Sequence, residues 1–456
     1  MAMPTVTQLN ATDYGFTPTA SNPSTALSSA ISAAISQGRP LFIDPGSYTV
    51  SNVVITGPLD LIGVPGKVTL KLASGANAIL VLQNFGRARL SGLIFDGVNL
   101  TPSDSYGVGY RALVVAQRTT STTSRLAVER CVFQHADGYG LGVSQCAALI
   151  VDSDFNDLFA ATGAENHEGF VFEDSRLSAM RNNGVVMSRD AGTPAITHIV
   201  GNRINGVART TPESTGYQGN AVLIEAESNV VVAQNEIYDC AFTAVRLNGC
   251  TRSRVSQNHC DKHGEVAIYV EGFSNGRQIA NDGFDVVVSD NVINDAGVGV
   301  AIANIDNSGR LGVIANNVIR RISKRTVAAG TANQYTSPGK AIAAETCVLI
   351  ANNFVEDAFQ GIDLSAGSYT QDSVILGNVL RKTTLAMGVS TVAGAKEVLV
   401  GDNLATGFAA VSSGGGALRQ MNAAGAVTGT TDLASFTEST GTANLRIEGV
   451  ASRATL

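Results

Sequence analysis

The chain has 456 residues and a formal net charge of −7, and only 15% of its residues are charged. It contains 48 glycines, 11 prolines and no tryptophan, a composition typical of a protein rich in strands and turns. No cluster of Lys or Arg stands out, which excludes nucleic acid and anionic membrane surfaces as partners. No apolar run reaches about 18 residues, so membrane insertion is not expected.

Segment 1–50 is predicted to be an amino-terminal cap with one short helix. Leu27, Ile31 and Ile35 recur at helical spacing and lie on one face, and Gly38 can end the helix. The sequence after Gly38 returns to a strand pattern. A repeat structure needs such a cap because its first coil would otherwise expose unpaired backbone groups.

Segment 51–411 repeats one pattern, in which an alternating apolar strand leads to an Asn, a short polar turn and a second alternating strand. Period-two alternation predicts short strands. Stacked Asn side chains inside a turn can bond to the backbone and to one another, so we predict an internal ladder. Its members are Asn202, Asn235, Asn258, Asn291, Asn317, Asn353, Asn378 and Asn403, and the same slot upstream holds Cys131, Ser153 and Ser175.

Successive ladder positions are 22 to 36 residues apart. The short intervals match one minimal coil of a parallel β-helix, and the longer ones carry insertions. The predicted fold class is therefore all-β: a single-stranded parallel β-helix solenoid over 51–411 with an N-terminal α-helical cap. Segment 412–456 is rich in Gly, Ala and Thr, and it is compatible with a last strand layer, a partner-binding tail or disorder.

The cysteines and histidines do not indicate a metal or cofactor site. No CxxC pair and no zinc spacing occurs, so buried free thiols are favoured over disulfides. His259 and His263 are four residues apart, but they follow a ladder Asn in a strand and a turn, not on a helix. The six cysteines are Cys131, Cys146, Cys240, Cys250, Cys260 and Cys347.

The pieces "CAFTAVR" (240–246), "GEVAIY" (264–269) and "NSGRL" (307–311) carry a family resemblance. The chain resembles, over most of residues 10–405, the uncharacterised twin-arginine-translocated repeat proteins of alphaproteobacteria. The resemblance implies a right-handed parallel β-helix of the pectate-lyase-like superfamily. It also implies a periplasmic or extracellular location, although no twin-arginine signal is visible at the start of this sequence. It brings no established activity.

Aligning the strands that follow the Asn turns predicts two outward columns of side chains, with successive coils about 4.8 Å apart. The first column holds Leu223, Arg246, Tyr269 and Asp363. The second holds Glu225, Asn248, Glu271, Asn304 and Glu345, with Glu173 two coils earlier.

Three long insertions, 206–219, 272–285 and 320–339, flank these strands and are expected to form the walls of a groove. Long loops in a compact repeat are usually functional. The Tyr217 and Gln218 side chains suit sugar stacking and hydrogen bonding, and Lys262 and His263 are expected at the rim of the groove. The expected substrate-binding residues are Glu173, Tyr217, Gln218, Asn248, Lys262, His263, Asn304 and Glu345.

The groove is predicted to bind a poly- or oligosaccharide and to cleave it. Glu225 and Glu271 lie two coils apart, about 9 to 10 Å, near the upper end of the spacing of inverting glycosidases. In this hypothesis the two carboxylates are the acid and base, Arg246 orients the substrate, and Tyr269 is a proton donor or base. A Tyr, Lys or His base beside an Arg would instead suit β-elimination from a uronate, so hydrolase and lyase both stay open.

The alternative is a non-catalytic envelope, adhesion or carbohydrate-binding β-helix protein. The outer face of a β-sheet is polar in any case, and Arg246 can simply bridge its carboxylate neighbours. Fold alone does not decide between these functions. A homotrimer is compatible with this fold.

Overall fold

The computed structural model describes residues 7–98, 100, 111–121, 123–189, 195–208, 218–272, 285–303, 312–327, 334–345, 347–364, 373–389, 398–406, 417–421, 427–432 and 444–452. The chain forms two compact units, Met1–Thr210 and Thr211–Leu456. We call them the N-terminal and C-terminal units and describe each by itself.

Each unit is built from coils of three strands, and strands at equivalent positions in successive coils pair in parallel. We call the strand before the ladder position B, the strand after it C, and the third strand A. The level of one coil is a rung. This arrangement is a parallel β-helix, and it confirms the predicted all-β solenoid.

The predicted α-helix near the start of the N-terminal unit is Pro23–Gln37. The Asn22 side chain accepts a hydrogen bond from the Thr25 backbone N–H at 3.1 Å, which caps the first turn. Gly38 ends the helix in the left-handed conformation, with φ of 60°. Leu27 and Ile31 are buried while Ile35 is half-buried, so the predicted apolar face packs inward. A 3-10 helix, Ala11–Tyr14, precedes it.

The strands of the N-terminal unit fall into three parallel sheets. Sheet A contains Val53–Ile55, Leu80–Gln83, Ala112–Gln117, the second halves of Val132–Ser144 and Asp154–Glu165, and Asn183–Ser188. Sheet B contains Leu9–Asn10, Leu41–Ile43, Leu59–Gly63, Arg87–Ser91, Arg125–Glu129, Ala147–Val151, Phe170–Glu173 and Thr197–Val200. Sheet C contains Gly46–Val50, Val68–Leu72, Ile94–Asp96, the first halves of Val132–Ser144 and Asp154–Glu165, Arg176–Met180 and Arg203–Val207.

The C-terminal unit repeats the same three-sheet plan. Sheet A contains Val222–Glu225, Val245–Asn248, the second halves of His259–Glu271 and Val292–Ala303, Lys340–Ala344, and the second halves of Phe354–Leu364 and Val379–Val389. Sheet B contains Val230–Ala233, Ser253–Ser256, Val286–Ser289, Gly312–Ala315, Val348–Ala351, Ser373–Leu376 and the first half of Val398–Thr406. Sheet C contains Glu236–Cys240, Val318–Ile322, the first halves of the long strands beginning at His259, Val292, Phe354 and Val379, and the second half of Val398–Thr406.

Antiparallel strands also occur in the C-terminal unit. Thr326–Val327 pairs with Tyr335–Thr336 inside one of the predicted insertions. Near the chain end, Ala417–Met421 pairs with Val427–Asp432 and with Asn444–Ser452, and Asn444–Ser452 also pairs with Val398–Thr406. The described residues of segment 412–456 are thus strands.

The predicted ladder runs along the B–C turn of both units. In the C-terminal unit each Asn Nδ2 donates to the Oδ1 of the next Asn, at 2.8 to 3.0 Å from Asn235 to Asn403. In the N-terminal unit the Ser153 hydroxyl accepts from the Cys131 N–H at 3.2 Å, and the Asn202 amide oxygen accepts from the Ser175 N–H at 3.0 Å. The slot shared by Cys, Ser and Asn is thus confirmed.

The turn geometry explains which residues precede the ladder. Asp290, Asn316 and Asn352 each stand directly before a ladder Asn and adopt φ of 55° to 60°. This left-handed conformation turns the chain sharply from strand B into strand C, and Asn, Asp and short polar residues tolerate it best.

The interior is apolar and contains the cysteines. All six are free thiols; five are buried and Cys347 is half-buried. Among the described residues no helix is long and apolar enough to cross a membrane, and no group of His, Cys, Asp and Glu is arranged to hold a metal ion.

Candidate functional site

The predicted face is the outer surface of sheet A in the C-terminal unit. Strand register places Leu223, Arg246 and Tyr269 in one column, which continues through Ala301 and Ala343 to Asp363. The second column holds Glu225, Asn248 and Glu271 on three successive rungs. The structure therefore brings together the four residues that the sequence predicts to be catalytic.

One rung of the predicted alignment is wrong by one residue. Ala303 lies opposite Glu271, where the sequence alignment placed Asn304, and Asn304 itself falls outside the described residues. The register shifts between His263 and Val266, where strand His259–Glu271 carries one residue more than the neighbouring strand Val292–Ala303. The segment "VGVAIA" is apolar at almost every position, so its alternation could not fix the register.

Arg246 lies at the centre of the face and is only 6% exposed. Its Nε donates to Glu271 Oε1 at 2.9 Å and to Asn248 Oδ1 at 3.1 Å, and its Nη2 also contacts Glu271 Oε1. The guanidinium carbon lies 5.1 Å from the centre of the Tyr269 ring and 5.4 Å from that of Phe242. Arg246 is thus held on one side by a carboxylate and on the others by two aromatic rings.

The Tyr269 hydroxyl is strongly biased towards its protonated form. Burial raises the pKa of Tyr269 well above its usual range, and the negative charge of Glu271 raises it further, while Arg246 partly offsets both. A phenol in this state can donate a hydrogen bond, but it cannot act as a base near neutral pH.

Glu265 is a site residue that the sequence reasoning missed. Its carboxylate accepts a hydrogen bond from the Thr243 hydroxyl at 3.4 Å and contacts the Tyr335 hydroxyl. Tyr335 belongs to the hairpin inside insertion 320–339, so this predicted wall does reach sheet A. The signal in the sequence was the extra residue between Asn258 and Ile268 compared with the equivalent span of the next coil.

A second charged pair lies on later rungs of the same sheet. Lys340 contacts the Asp363 carboxylate, and the Asp363 side chain is 0% exposed. Glu345 directly follows strand Lys340–Ala344 and is half-buried, in keeping with its predicted place in the second column.

Two predicted substrate contacts, His263 and Glu173, are placed differently by the structure. His263 was expected at the groove rim, but it is 0% exposed and its column neighbours are Cys240 and Ala296. Glu173 was expected in the second column of sheet A, but it ends a strand of sheet B, two residues before the ladder position Ser175. Lys262 is exposed at the left-handed bend between strands C and A, with φ of 61°.

His263 is misplaced in the prediction because its polar character suggests a surface position. Its side chain instead occupies an inward position where the equivalent residues of neighbouring rungs are apolar or small. Burial lowers the pKa of the His263 imidazole to about 3, and Arg325 contributes to this shift. The ring is therefore neutral and cannot contact a substrate on the outer face.

The remaining predicted contacts lie in or beside the first insertion. Gln218 is buried, and the neighbouring Gly219 carbonyl accepts a hydrogen bond from the Phe242 N–H at 3.0 Å. Tyr217 lies outside the described residues. Asn248 is buried between Glu225 and Glu271 and is engaged by Arg246.

Comparison with known proteins supports the fold. Residues 160–342 match the family model described as the right handed beta helix region, which agrees with the right-handed parallel β-helix predicted from the sequence. The twin-arginine family itself stays a prediction. No protein of curated function matches the chain.

Solved structures that are similar to this chain include the following three. The catalytic unit of a thermostable GH87 α-1,3-glucanase from Streptomyces thermodiastaticus strain HF3-3 is 18% identical, with a TM-score of 0.45, over 90% of this chain and 66% of that chain. The A-module of the mannuronan C-5 epimerase AlgE4 from Azotobacter vinelandii is 15% identical, with a TM-score of 0.44, over 80% and 99% of the two chains. The DFA-IIIase from Arthrobacter chlorophenolicus A6, without its lid, is 12% identical, with a TM-score of 0.44, over 82% and 95%.

The chain spans about two thirds of the glucanase unit that it matches. At these identities and TM-scores the similarity carries no information on activity. The right-handed parallel β-helix is the conclusion that the strand register and the family match support together.

Proposed function

We propose that this protein hydrolyses a glycosidic bond of a poly- or oligosaccharide on the outer face of sheet A in the C-terminal unit. The observation that carries the proposal is the column Glu225, Asn248, Glu271, which sets two carboxylates two rungs apart. Two rungs correspond to about 9 to 10 Å. Inverting glycosidases use about 6.5 to 9.5 Å, because a water molecule must fit between the base and the sugar.

The two carboxylates take different roles in this reaction. Glu271 forms its ion pair with Arg246 as a carboxylate, and its side chain is still 16% exposed. It is the candidate base that takes a proton from the attacking water. Glu225 is the candidate acid that gives a proton to the leaving glycosidic oxygen, so the proton taken from water is balanced by the proton given to the leaving group.

Elimination is less well supported than hydrolysis. A lyase needs a base that removes a proton next to the uronate carboxyl group. Tyr269 is held protonated, because burial and Glu271 raise its pKa, and His263 is buried away from the face. Tyr269 is instead a candidate hydrogen-bond donor to a sugar hydroxyl or to the leaving oxygen.

Binding without cleavage is the second candidate, because Glu271 and Asn248 already engage Arg246 through its Nε and Nη2. A face whose charges are satisfied within the protein resembles a rigid recognition surface as much as a catalytic one. In both cases we propose a carbohydrate ligand, and for an exported protein an extracellular or periplasmic one.

The test is incubation of the full chain with a panel of neutral and acidic polysaccharides, with products read as new reducing ends and as absorbance of unsaturated uronates. We expect reducing ends without unsaturated products, and loss of at least about 100-fold in rate for Glu225→Gln and for Glu271→Gln. The control is Glu236→Gln, an exposed glutamate on sheet C of the same unit.

Each outcome separates the candidates. Unsaturated products would show that the protein cleaves by elimination and not by hydrolysis. Binding of a glycan without any product would support the non-catalytic recognition surface. Absence of both binding and product across the panel would reject a carbohydrate function for this face.

A further inference from the structure

A separate groove lies on the outer surface of sheet C in the N-terminal unit. It has a volume of about 730 Å³ and draws side chains from successive rungs. Its polar lining on three rungs consists of Asp154, Asn156, Arg176, Ser178, Arg203 and Asn205. None of these residues belongs to the face proposed above to cleave glycans, so the following inference does not depend on that proposal.

One column of the groove is cationic. Asp154, Arg176 and Arg203 lie in register on three successive rungs. Arg176 is exposed, and within the described part of the chain it forms no ion pair, even with Asp154 on the next rung. Arg203 lies one rung away, about 4.8 Å along the column, and already has an interaction of its own. The exposed Arg176 guanidinium presents a planar donor pair that matches the geometry of a carboxylate.

The neighbouring column offers mainly hydrogen-bond donors. Asn156 and Ser178 lie in register, and the Ser178 hydroxyl donates to Asn156 Oδ1 at 2.8 Å. That bond uses the Asn156 oxygen, and the Asn156 amide N–H groups donate no hydrogen bond to the described residues. On the next rung Asn205 is exposed, and its side chain makes no hydrogen bond to the described residues.

We infer that this groove binds an acidic glycan, a saccharide chain whose sugars carry carboxylates. Arg176 contacts a carboxylate, Arg203 adds positive charge one rung away, and the Asn156 and Asn205 amides contact the hydroxyl and ring oxygens of the same chain. The excess of donors over acceptors favours an anionic ligand rich in acceptor oxygens, and the rung repeat allows contacts with consecutive parts of an extended chain.

The test measures binding of size-fractionated oligogalacturonate to the full chain by titration calorimetry, with malto-oligosaccharide of equal length as the neutral probe. Arg176→Gln is expected to weaken oligogalacturonate binding at least about tenfold, since a charge-assisted hydrogen bond is lost. The matched control is Arg125→Gln, an exposed arginine on sheet B of the same unit, which is expected to change affinity less than about twofold.

Preservation of the unfolding midpoint in Arg176→Gln assigns its loss of affinity to the groove. Three results would overturn the inference: no binding of oligogalacturonate, equal weakening by Arg176→Gln and Arg125→Gln, or malto-oligosaccharide binding of equal strength that Arg176→Gln does not change.

Discussion

At the residue scale, Arg246 shows how one side chain serves structure and candidate function together. Its guanidinium is nearly buried and binds Glu271 on the adjacent coil. A carboxylate held in this way keeps a fixed position relative to Glu225, which a catalytic pair requires. The repeat in the sequence predicts that Arg246, Glu271 and Glu225 lie close together. The ion pair between Arg246 and Glu271 depends on side-chain rotamers, which the alignment of strands does not predict.

His263 is a second residue whose position controls a measurable property. Its ring is buried, and within the described chain neither ring nitrogen has a hydrogen-bond partner. The charged groups around it are Arg325, which donates to the His263 carbonyl at 3.1 Å, and Asp295, which pairs with Arg325. A neutral imidazole is therefore the only form that this site accommodates at moderate pH.

We predict that His263 makes folding stability depend on pH below neutrality. Its pKa is about 3 in the folded protein, against an ordinary value of 6.5, so the unfolded chain binds the extra proton between these values. Stability is therefore full above about pH 6.5 and falls by up to ~1.4 kcal/mol per pH unit as the pH drops towards 3. Urea unfolding midpoints at pH 7, 5.5 and 4.5 measure the slope.

The matched variants are His263→Asn and His259→Asn, because His259 is half-buried on the outer side of the same strand. Carboxylates titrate alike in all three proteins and cancel in the comparison. The His263→Asn protein should lose the slope between pH 7 and 5.5, and an unchanged slope would show that the buried imidazole is not responsible.

At the element scale, the ladder is the feature that the sequence predicted best. An Asn that recurs at a fixed place in a strand pattern is well explained by a ladder. The same position tolerates Ser in the N-terminal unit, because a hydroxyl can accept the same backbone hydrogen bond. The bend between strands C and A was harder to predict. A single extra residue there shifts the register beside Glu265, and only pairing with both neighbouring strands shows it.

We predict that Asn291→Ala lowers the free energy of unfolding by about 2 to 4 kcal/mol, because buried amide partners on two rungs lose their bonds. Asn291 donates to Asn317 Oδ1 at 2.9 Å and to the Val255 carbonyl at 3.0 Å, and it accepts from Asn258 Nδ2 at 3.0 Å. Asn291→Ser should cost less, since the N-terminal unit uses Ser in this slot.

Chemical denaturation of the unchanged protein, Asn291→Ala and Asn291→Ser measures the differences in the free energy of unfolding. The control is Asn294→Ala, a half-buried amide on the outer side of the same strand, which should change stability by less than about 1 kcal/mol. Equal effects of Asn291→Ala and Asn294→Ala would contradict a special role for the ladder.

At the scale of the whole molecule, the fold follows from the repeat, whereas the walls of the site do not. Strand alternation and ladder spacing recur many times, so errors in single coils do not change the architecture. Insertions occur once each and carry no such redundancy. Tyr335 illustrates the difference, since its contact with Glu265 depends on a hairpin that the repeat does not encode.

We predict that the interior protects almost all cysteines from reagents. Burial raises the pKa of Cys131, Cys146 and Cys260 to about 12, so these thiols are neither accessible nor ionised at pH 8. A thiol reagent should modify at most one cysteine per native chain, at the half-buried Cys347, and all six after denaturation. Rapid modification of several thiols in the native protein would contradict the packed interior.

The column that holds Glu225 and Glu271 has a consequence for how such sites can evolve. Their separation comes in whole coils, so a duplication or loss of one repeat changes it by about 4.8 Å without altering either glutamate. Deleting the coil that carries Asn248, from Asn235 to its ladder partner 23 residues later, would leave the two carboxylates about 5 Å apart, the spacing of retaining glycosidases. The number of repeats between the two glutamates thus sets their separation, and with it the inverting or retaining outcome. Unequal recombination can change this number, whereas a point mutation cannot.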